Sequence, residues 1–213
     1  MVNALKAVVL DDALEILRSY DLARTIDQLI APYCKYLGQF GLSNMLVSGL
    51  PTADIRQWQR SILDNHWHRG WYERYVARGH YRFDPCVEKC RVTDEPFMWS
   101  EIPDGELGPK QRRVLNEASD FGMHDGLCIP IHVAIGAPAV VTLSGDRIEL
   151  GRDERHIVEM LSRGLFRALC RLTIRSVQPG SLLTPREIEV VQLIANGNSA
   201  SAVARLLFIS QHT

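Results

Sequence analysis

The sequence has almost no net charge: 24 Lys and Arg stand against 25 Asp and Glu, a balance of −1 over 213 residues. No general basic field points toward nucleic acid, where phosphate neutralisation supplies most of the affinity. The five cysteines, Cys34, Cys86, Cys90, Cys128 and Cys170, are odd in number and never fall in C-x-x-C spacing. That argues against a disulfide framework and for a reduced compartment. Cys86 and Cys90 lie one helical turn apart with His80 nearby, but no second pair completes a tetrahedral metal set, so they read as small buried hydrophobes and no metal is expected. The opening stretch MVNALKAVVLDDALEIL turns acidic too soon for a signal peptide or a membrane span, and the chain reads as cytoplasmic. There is no internal repeat, no G-x-S-x-G elbow, no H-E-x-x-H and no histidine-rich motif. His66 and His68 lie two positions apart without further ligands nearby, so neither an enzyme nor a catalytic residue is expected.

What is present is ordinary globular material, 46% hydrophobic and 23% charged, long enough for one large domain and a small one. Residues near Asp12–Ser19 and Leu22–Leu37 read as amphipathic helices, the second with Leu22, Ile26, Leu29, Ile30, Tyr33 and Leu37 along one face. Asn44–Leu50, closed by Pro51, and Pro96–Ile102 are strand candidates. Trp67–Arg78 predicts a helix closed by Gly79, and Asp84-Pro85 starts another, with the aspartate as N-cap and the proline in the first turn. Gly108–Phe121 is helical up to Gly122. Asp125–Val133 and Pro138–Ser144 are β-rich runs around Ala134-Ile135-Gly136-Ala137, which predicts an antiparallel hairpin. Arg152–Ser176 is a long helix whose stripe of Ile157, Val158, Leu161, Leu165, Phe166, Leu169 and Leu172 suits a core or a dimer seam. The expected class is α+β: an α/β/α sandwich, an antiparallel sheet with helices on both faces, followed by an all-α piece.

The turn-rich stretch Val177-Gln178-Pro179-Gly180-Ser181 divides the chain into 1–176, a linker at 177–182, and 183–213. The last part runs LTPREIEVVQLIANGNSASAVARLLFISQHT. Thr184 caps a first helix, Pro185 to Ala195, with Glu187 three residues later, and Asn196-Gly197 stops it. Ser199 caps a second helix with Ala202, Val203, Leu206 and Leu207 at helical spacing, and Ile209-Ser210 opens a third. This resembles the helix-turn-helix of LuxR-type transcription regulators, with Glu187, Gly197, Ala204, Leu207, Ile209, Ser210 and Thr213 on pattern positions. Ile188 and Ala202 depart from it, where the family usually has Arg and Glu. In such a motif the third helix lies in the major groove, and here the text reaches Thr213 with that helix barely begun, so the domain is expected to be incomplete. Arg186 and Arg205 are balanced by Glu187 and Glu189, so the piece alone is expected to bind DNA poorly.

Between Trp67 and Trp99 three tryptophans, three tyrosines and two phenylalanines surround one Asp-Pro pair. Aromatic density alone is ordinary core. The spacing of Trp71, Tyr75, Asp84-Pro85 and Trp99, however, resembles the acyl-homoserine lactone binding domain of the LuxR family, and Gly126 falls near a further family glycine. The resemblance implies that the Trp71 indole donates to the lactone carbonyl, that Asp84 accepts from the amide N–H, and that Tyr75 and Trp99 form walls. It also implies that Thr142 reaches the amide carbonyl, directly or through water. Trp67 stands where many relatives carry a tyrosine donor; an indole can donate but not accept, and is larger. Cys128 lies among positions that line the pocket in relatives. Asp84 also has a purely local role available as an N-cap, and a carboxylate has acceptor sites enough for both.

The resemblance thus implies a quorum-sensing regulator that binds an N-acyl-homoserine lactone, needs no cofactor beyond that signal, and controls transcription as a dimer. A second reading, a truncated sensor that antagonises a full-length relative through mixed dimers, applies if Thr213 is the natural end. A lactone or acyl-amide hydrolase is the weakest reading, since no catalytic motif supports it.

Overall fold

In a computed structural model, the backbone of residues 2–132, 137–176 and 185–210 is described, with side chains for all of these except 2–9, 174–176 and 185. The centre is a five-stranded antiparallel sheet of order β2-β1-β5-β4-β3, built from β1 (Asn44–Gly49), β2 (Ile62–Asn65), β3 (Phe97–Met98), β4 (Asp125–Ile131) and β5 (Ala139–Gly145). β1 pairs with β5 through Leu46↔Thr142 and Val47↔Val141, and β5 with β4 through Thr142↔Cys128 and Val141↔Ile129. Strand side chains alternate between faces. Register therefore sorts the sheet into two sets, Val47, Val141 and Ile129 on one face and Leu46, Thr142 and Cys128 on the other.

The first face carries the larger core. Met45, Val47, Leu127, Ile129, Val141 and Leu143 pack under α1 (Val2–Leu22), α2 (Ile26–Gly38) and α7 (Arg152–Ser176). The stripe of α7 foreseen from its spacing is here a core stripe: Val158, Leu161, Leu165 and Leu169 are fully buried. One polar link crosses this core. The Tyr33 hydroxyl donates to Ser162 Oγ at 2.5 Å, and Ser162 Oγ donates to the Val158 carbonyl at 2.7 Å, tying α2 to α7.

The opposite face is covered by α3 (Ile55–Arg60), α4 (Arg69–Ala77), α5 (Pro85–Cys90) and α6 (Pro109–Ser119), with Trp58, Trp71, Tyr75 and Val114 buried among them. Asp84 caps α5, its Oδ1 accepting from the amides of Cys86 and Val87 at 2.8 and 3.4 Å. Gly126 on β4 is glycine for want of room: a Cβ there would stand 2.5 Å from the Leu143 carbonyl oxygen and 2.5 Å from the Trp99 ring.

In the carboxy-terminal part, α8 (Pro185–Ala195) and α9 (Ala200–Leu207) pack through Leu193, Val203 and Leu207. Gly197 turns between them at φ +82, and Ser199 Oγ accepts from the Ala202 amide. Thr184, Thr213, the 177–182 linker and the hairpin turn at 133–136 lie outside the described residues.

Several boundaries differ from expectation. α2 begins at Ile26, not Leu22, because Thr25 and Gln28 form a reciprocal capping box. Pro96–Ile102 supplies only two strand residues before the chain turns into a 3-10 turn at Trp99–Glu101. α3 and β2 were not anticipated; at six and four residues they are too short to show a period.

Tyr33→Phe should lower unfolding stability by about 1–2 kcal/mol in a denaturant titration, because it strips one partner from a buried hydroxyl pair. A change within about 0.3 kcal/mol would mean that the α2–α7 link contributes nothing.

Candidate ligand cavity

Between the sheet face of Leu46, Thr142 and Cys128 and the helices α3–α6 lies a narrow cavity of about 40 Å³. All seven residues singled out from the sequence, Trp67, Trp71, Tyr75, Asp84, Trp99, Cys128 and Thr142, line it. Leu46, Ser48, Trp58, Cys86, Cys90 and Val114 line it too and were not foreseen. Alternation along β1 could have flagged Leu46 and Ser48. Trp58 sits on the helix that carried no signal.

Polarity in the cavity is sparse and specific. Tyr75 donates from its hydroxyl to Asp84 Oδ2 at 2.8 Å, while the α5 amides bind Oδ1. A carboxylate offers about four acceptor positions, so these three bonds leave one open. Part of the Asp84 surface remains open, but its carboxyl is walled off from bulk water. Burial pushes that carboxyl up to about 6 from 3.8, against the pull of the Tyr75 hydroxyl and the two amides. Burial likewise raises the Tyr75 phenol well above its ordinary value, so it stays a donor.

The indole nitrogens of Trp67 and Trp99 are buried and have no hydrogen-bond partner among the described residues. Trp99 interacts with the Cys128 sulfur, a weak acceptor, without a hydrogen bond of good geometry. Trp58 differs, since its indole N–H donates to Ser48 Oγ at 3.2 Å. Cys128 Sγ donates to Thr142 Oγ1 at 3.8 Å, leaving the threonine hydroxyl hydrogen free to turn. Burial holds the Cys86 thiol protonated.

The aromatic walls brace each other. Tyr75 meets Trp67 edge-on at 5.3 Å and Trp71 edge-on at 5.5 Å. Such edge-to-face pairs are the preferred ring geometry and leave little freedom for either indole. The arrangement can take a small amphiphile: one N–H for Asp84, carbonyls for the indoles, and an apolar remainder. Among the described residues, no group of three or more His, Cys, Asp or Glu is placed to hold a metal ion, and no helix is long and apolar enough to cross a membrane.

Residues 25–169 match the autoinducer binding domain, and residues 181–213 match the model for bacterial regulatory proteins of the luxR family. The chain belongs to the LuxR family. The transcriptional activator BjaR1 of Bradyrhizobium diazoefficiens is 34% identical over 95% of this chain and 84% of that protein. The quorum sensing-dependent regulator RpaR of Rhodopseudomonas palustris is 29% identical over 97% of this chain and 86% of its own length. In fold the chain is similar to CepR2 of Burkholderia cenocepacia, an N-acylhomoserine lactone dependent factor, with TM-score 0.58 and 20% identity over 80% of this chain and 99% of that one. It is also similar to SdiA of Escherichia coli, with TM-score 0.61 and 18% identity over 94% and 84% of the two chains. LuxR-family chains are transcription regulators, not enzymes. Within this chain Glu187 lies in the first turn of α8, Gly197 in the turn after it, and Ser210 just beyond α9.

The raised Asp84 carboxyl fixes a sign for pH dependence. A group raised in the folded state contributes stability that is fully present below its unfolded value near 4 and is lost as pH rises through about 6. Asp84→Asn keeps a competent cap and removes the ionisation. The stability difference between variant and wild type should therefore move in the variant's favour by on the order of 2–3 kcal/mol between pH 4 and 7. Denaturant unfolding across that range checks it, and a pH-independent difference would contradict it.

Proposed function

We propose that this LuxR-family chain binds an N-acyl-homoserine lactone in the cavity beneath α4 and α5 and controls transcription as a dimer through its helix-turn-helix. The observation that carries the reading is the pairing, in one apolar cavity, of an Asp84 carboxyl with one acceptor position open and a buried Trp67 indole N–H with none of its hydrogen-bonding satisfied. Leaving a buried donor unpaired costs about 1–3 kcal/mol, so the cavity favours a guest that brings an acceptor to it. A secondary amide brings both complements at once, an N–H for Asp84 and a carbonyl for an indole or for the Thr142 hydroxyl.

In this reading the Trp71 indole donates to the lactone carbonyl, Asp84 accepts from the amide N–H, and Trp67 or Thr142 donates to the amide carbonyl. Tyr75 holds Asp84 and, with Trp99, walls the guest. No cofactor takes part, and the partners are the lactone, a second copy of the chain, and DNA. The cavity as it stands has room for only a few water molecules, so the acyl group must push the side chains apart and complete the core itself. Such a guest binds the folded state alone and stabilises it by linkage.

Melting of the purified chain with a panel of acyl-homoserine lactones tests this, with octanoyl-glycerol as a non-lactone amphiphile of the kind bound by SdiA in one of its structures. A matching lactone at about 100 times its Kd should raise Tm by about 5–10 °C. No shift with any lactone would overturn the reading, and a shift with octanoyl-glycerol alone would replace the lactone with an acyl ester.

A further inference from the structure

Behind the cavity wall sits a buried histidine that the binding scheme does not use. His80 follows the left-handed Gly79 at the end of α4, at φ +65, and is only 4% exposed. It does not line the cavity. Its ring stacks on Trp71, with centroids 5.6 Å apart and planes 24° from parallel, and meets Tyr75 edge-on at 6.1 Å. On its far side, Nε2 lies 3.0 Å from Glu117 Oε2 on α6. Glu117 is the hub of a charged cluster: Arg78 Nη1 donates to its Oε1 at 2.5 Å, Arg113 Nε lies 3.2 Å from the same oxygen, and Arg74 Nη1 lies 4.0 Å from the other. Arg74 is held in turn by Asp120 at 2.8 Å.

Burial pushes the Glu117 carboxyl up, but the hydrogen bonds from His80 and Arg78 outweigh it and hold it below the ordinary range. An ionised carboxylate only accepts, so the His80 proton on this side must sit on Nε2. The imidazole is therefore fixed at one edge by Glu117 and presents its face to Trp71. A single ring joins the α4–α6 ion cluster to the indole that forms the wall of the cavity.

We infer that His80 is a positioning residue for ligand recognition: anchored by Glu117, it backs the Trp71 indole and holds it at the angle from which it meets the ligand. The inference rests on the lactone reading for its effect on affinity, but not for the His80–Trp71 coupling itself. Two side chains outside the cavity then set the precision of one inside it. Recognition depends on orientation, and an indole N–H free to swing makes a poorer bond with the same guest.

The test is a double-mutant cycle with a ligand-free arm. His80→Gln keeps a donor for Glu117 and removes the ring. It should weaken binding of the lactone that gives the largest melting shift by about 3–10-fold, while the same change in a Trp71→Phe background should cost less than about 2-fold. Equal losses in both backgrounds would show that His80 acts without Trp71 and would overturn the inference. In the ligand-free arm, nitrogen-15 NMR should find a proton on His80 Nε2, and His80→Gln should displace the Trp71 indole resonance, assigned through Trp71→Phe. An unmoved indole resonance would overturn the inference whatever binds. If no lactone binds at all, the lactone reading fails while the NMR arm still decides the coupling. Should His80→Gln not fold, His80→Phe serves in both arms: it keeps a ring but loses the donor, so the indole resonance should still move, and an unmoved one would again overturn the inference.

Discussion

The Asp84 carboxyl sits in a cavity that is otherwise almost apolar, and it is tolerable there because three donors meet it: the Cys86 and Val87 amides at the start of α5 and the Tyr75 hydroxyl from α4. Much of the cavity-facing half of the domain is arranged around this one contact. It caps α5, and through Tyr75 it fixes the spacing between α4 and α5. Tyr75 in turn braces Trp67 and Trp71 from one side, meeting both rings edge-on. Even so, burial wins part of the contest, since the carboxyl remains raised to about 6. The group is thus held near a balance that a further hydrogen-bond donor would tip toward ionisation.

The sheet divides labour between its faces. Toward α1, α2 and α7 it presents Val47, Val141 and Ile129, all fully buried in the larger core. Toward α4 and α5 it presents Leu46, Thr142 and Cys128, and there a cavity remains. A one-residue slip in β5 would exchange these sets, bringing valines into the cavity and Thr142 into the core. Gly126 guards the same arrangement from β4, because any side chain there would collide with Trp99.

Much of this was legible in the chain itself. The Asp-Pro cap, the long stripe of α7, the β4–β5 pair and the two helices of the carboxy-terminal motif each rest on local signals a few residues apart. The capping box at Thr25 and Gln28 is equally local, and it sets the start of α2 four residues later than the apolar face from Leu22 implies. α3 and β2 could not be read in this way, because six and four residues carry no usable period and Trp58 looks like any core aromatic. The unpaired Trp67 indole was invisible for a different reason: whether a donor finds a partner depends on residues brought together from several elements. The same holds for His80 and Glu117, 37 positions apart and joined only by the packing of α6 against the end of α4.

The central claim is that Asp84 takes its last hydrogen bond from the guest and ionises fully as it does so. Calorimetric titration of a stabilising lactone at pH 6, repeated in two buffers of different ionisation enthalpy, reads this as protons exchanged per binding event. With the free carboxyl raised to about 6, about half a proton should be released at pH 6 and almost none at pH 8. Binding at pH 6 with no proton released, or with protons taken up, would contradict the account.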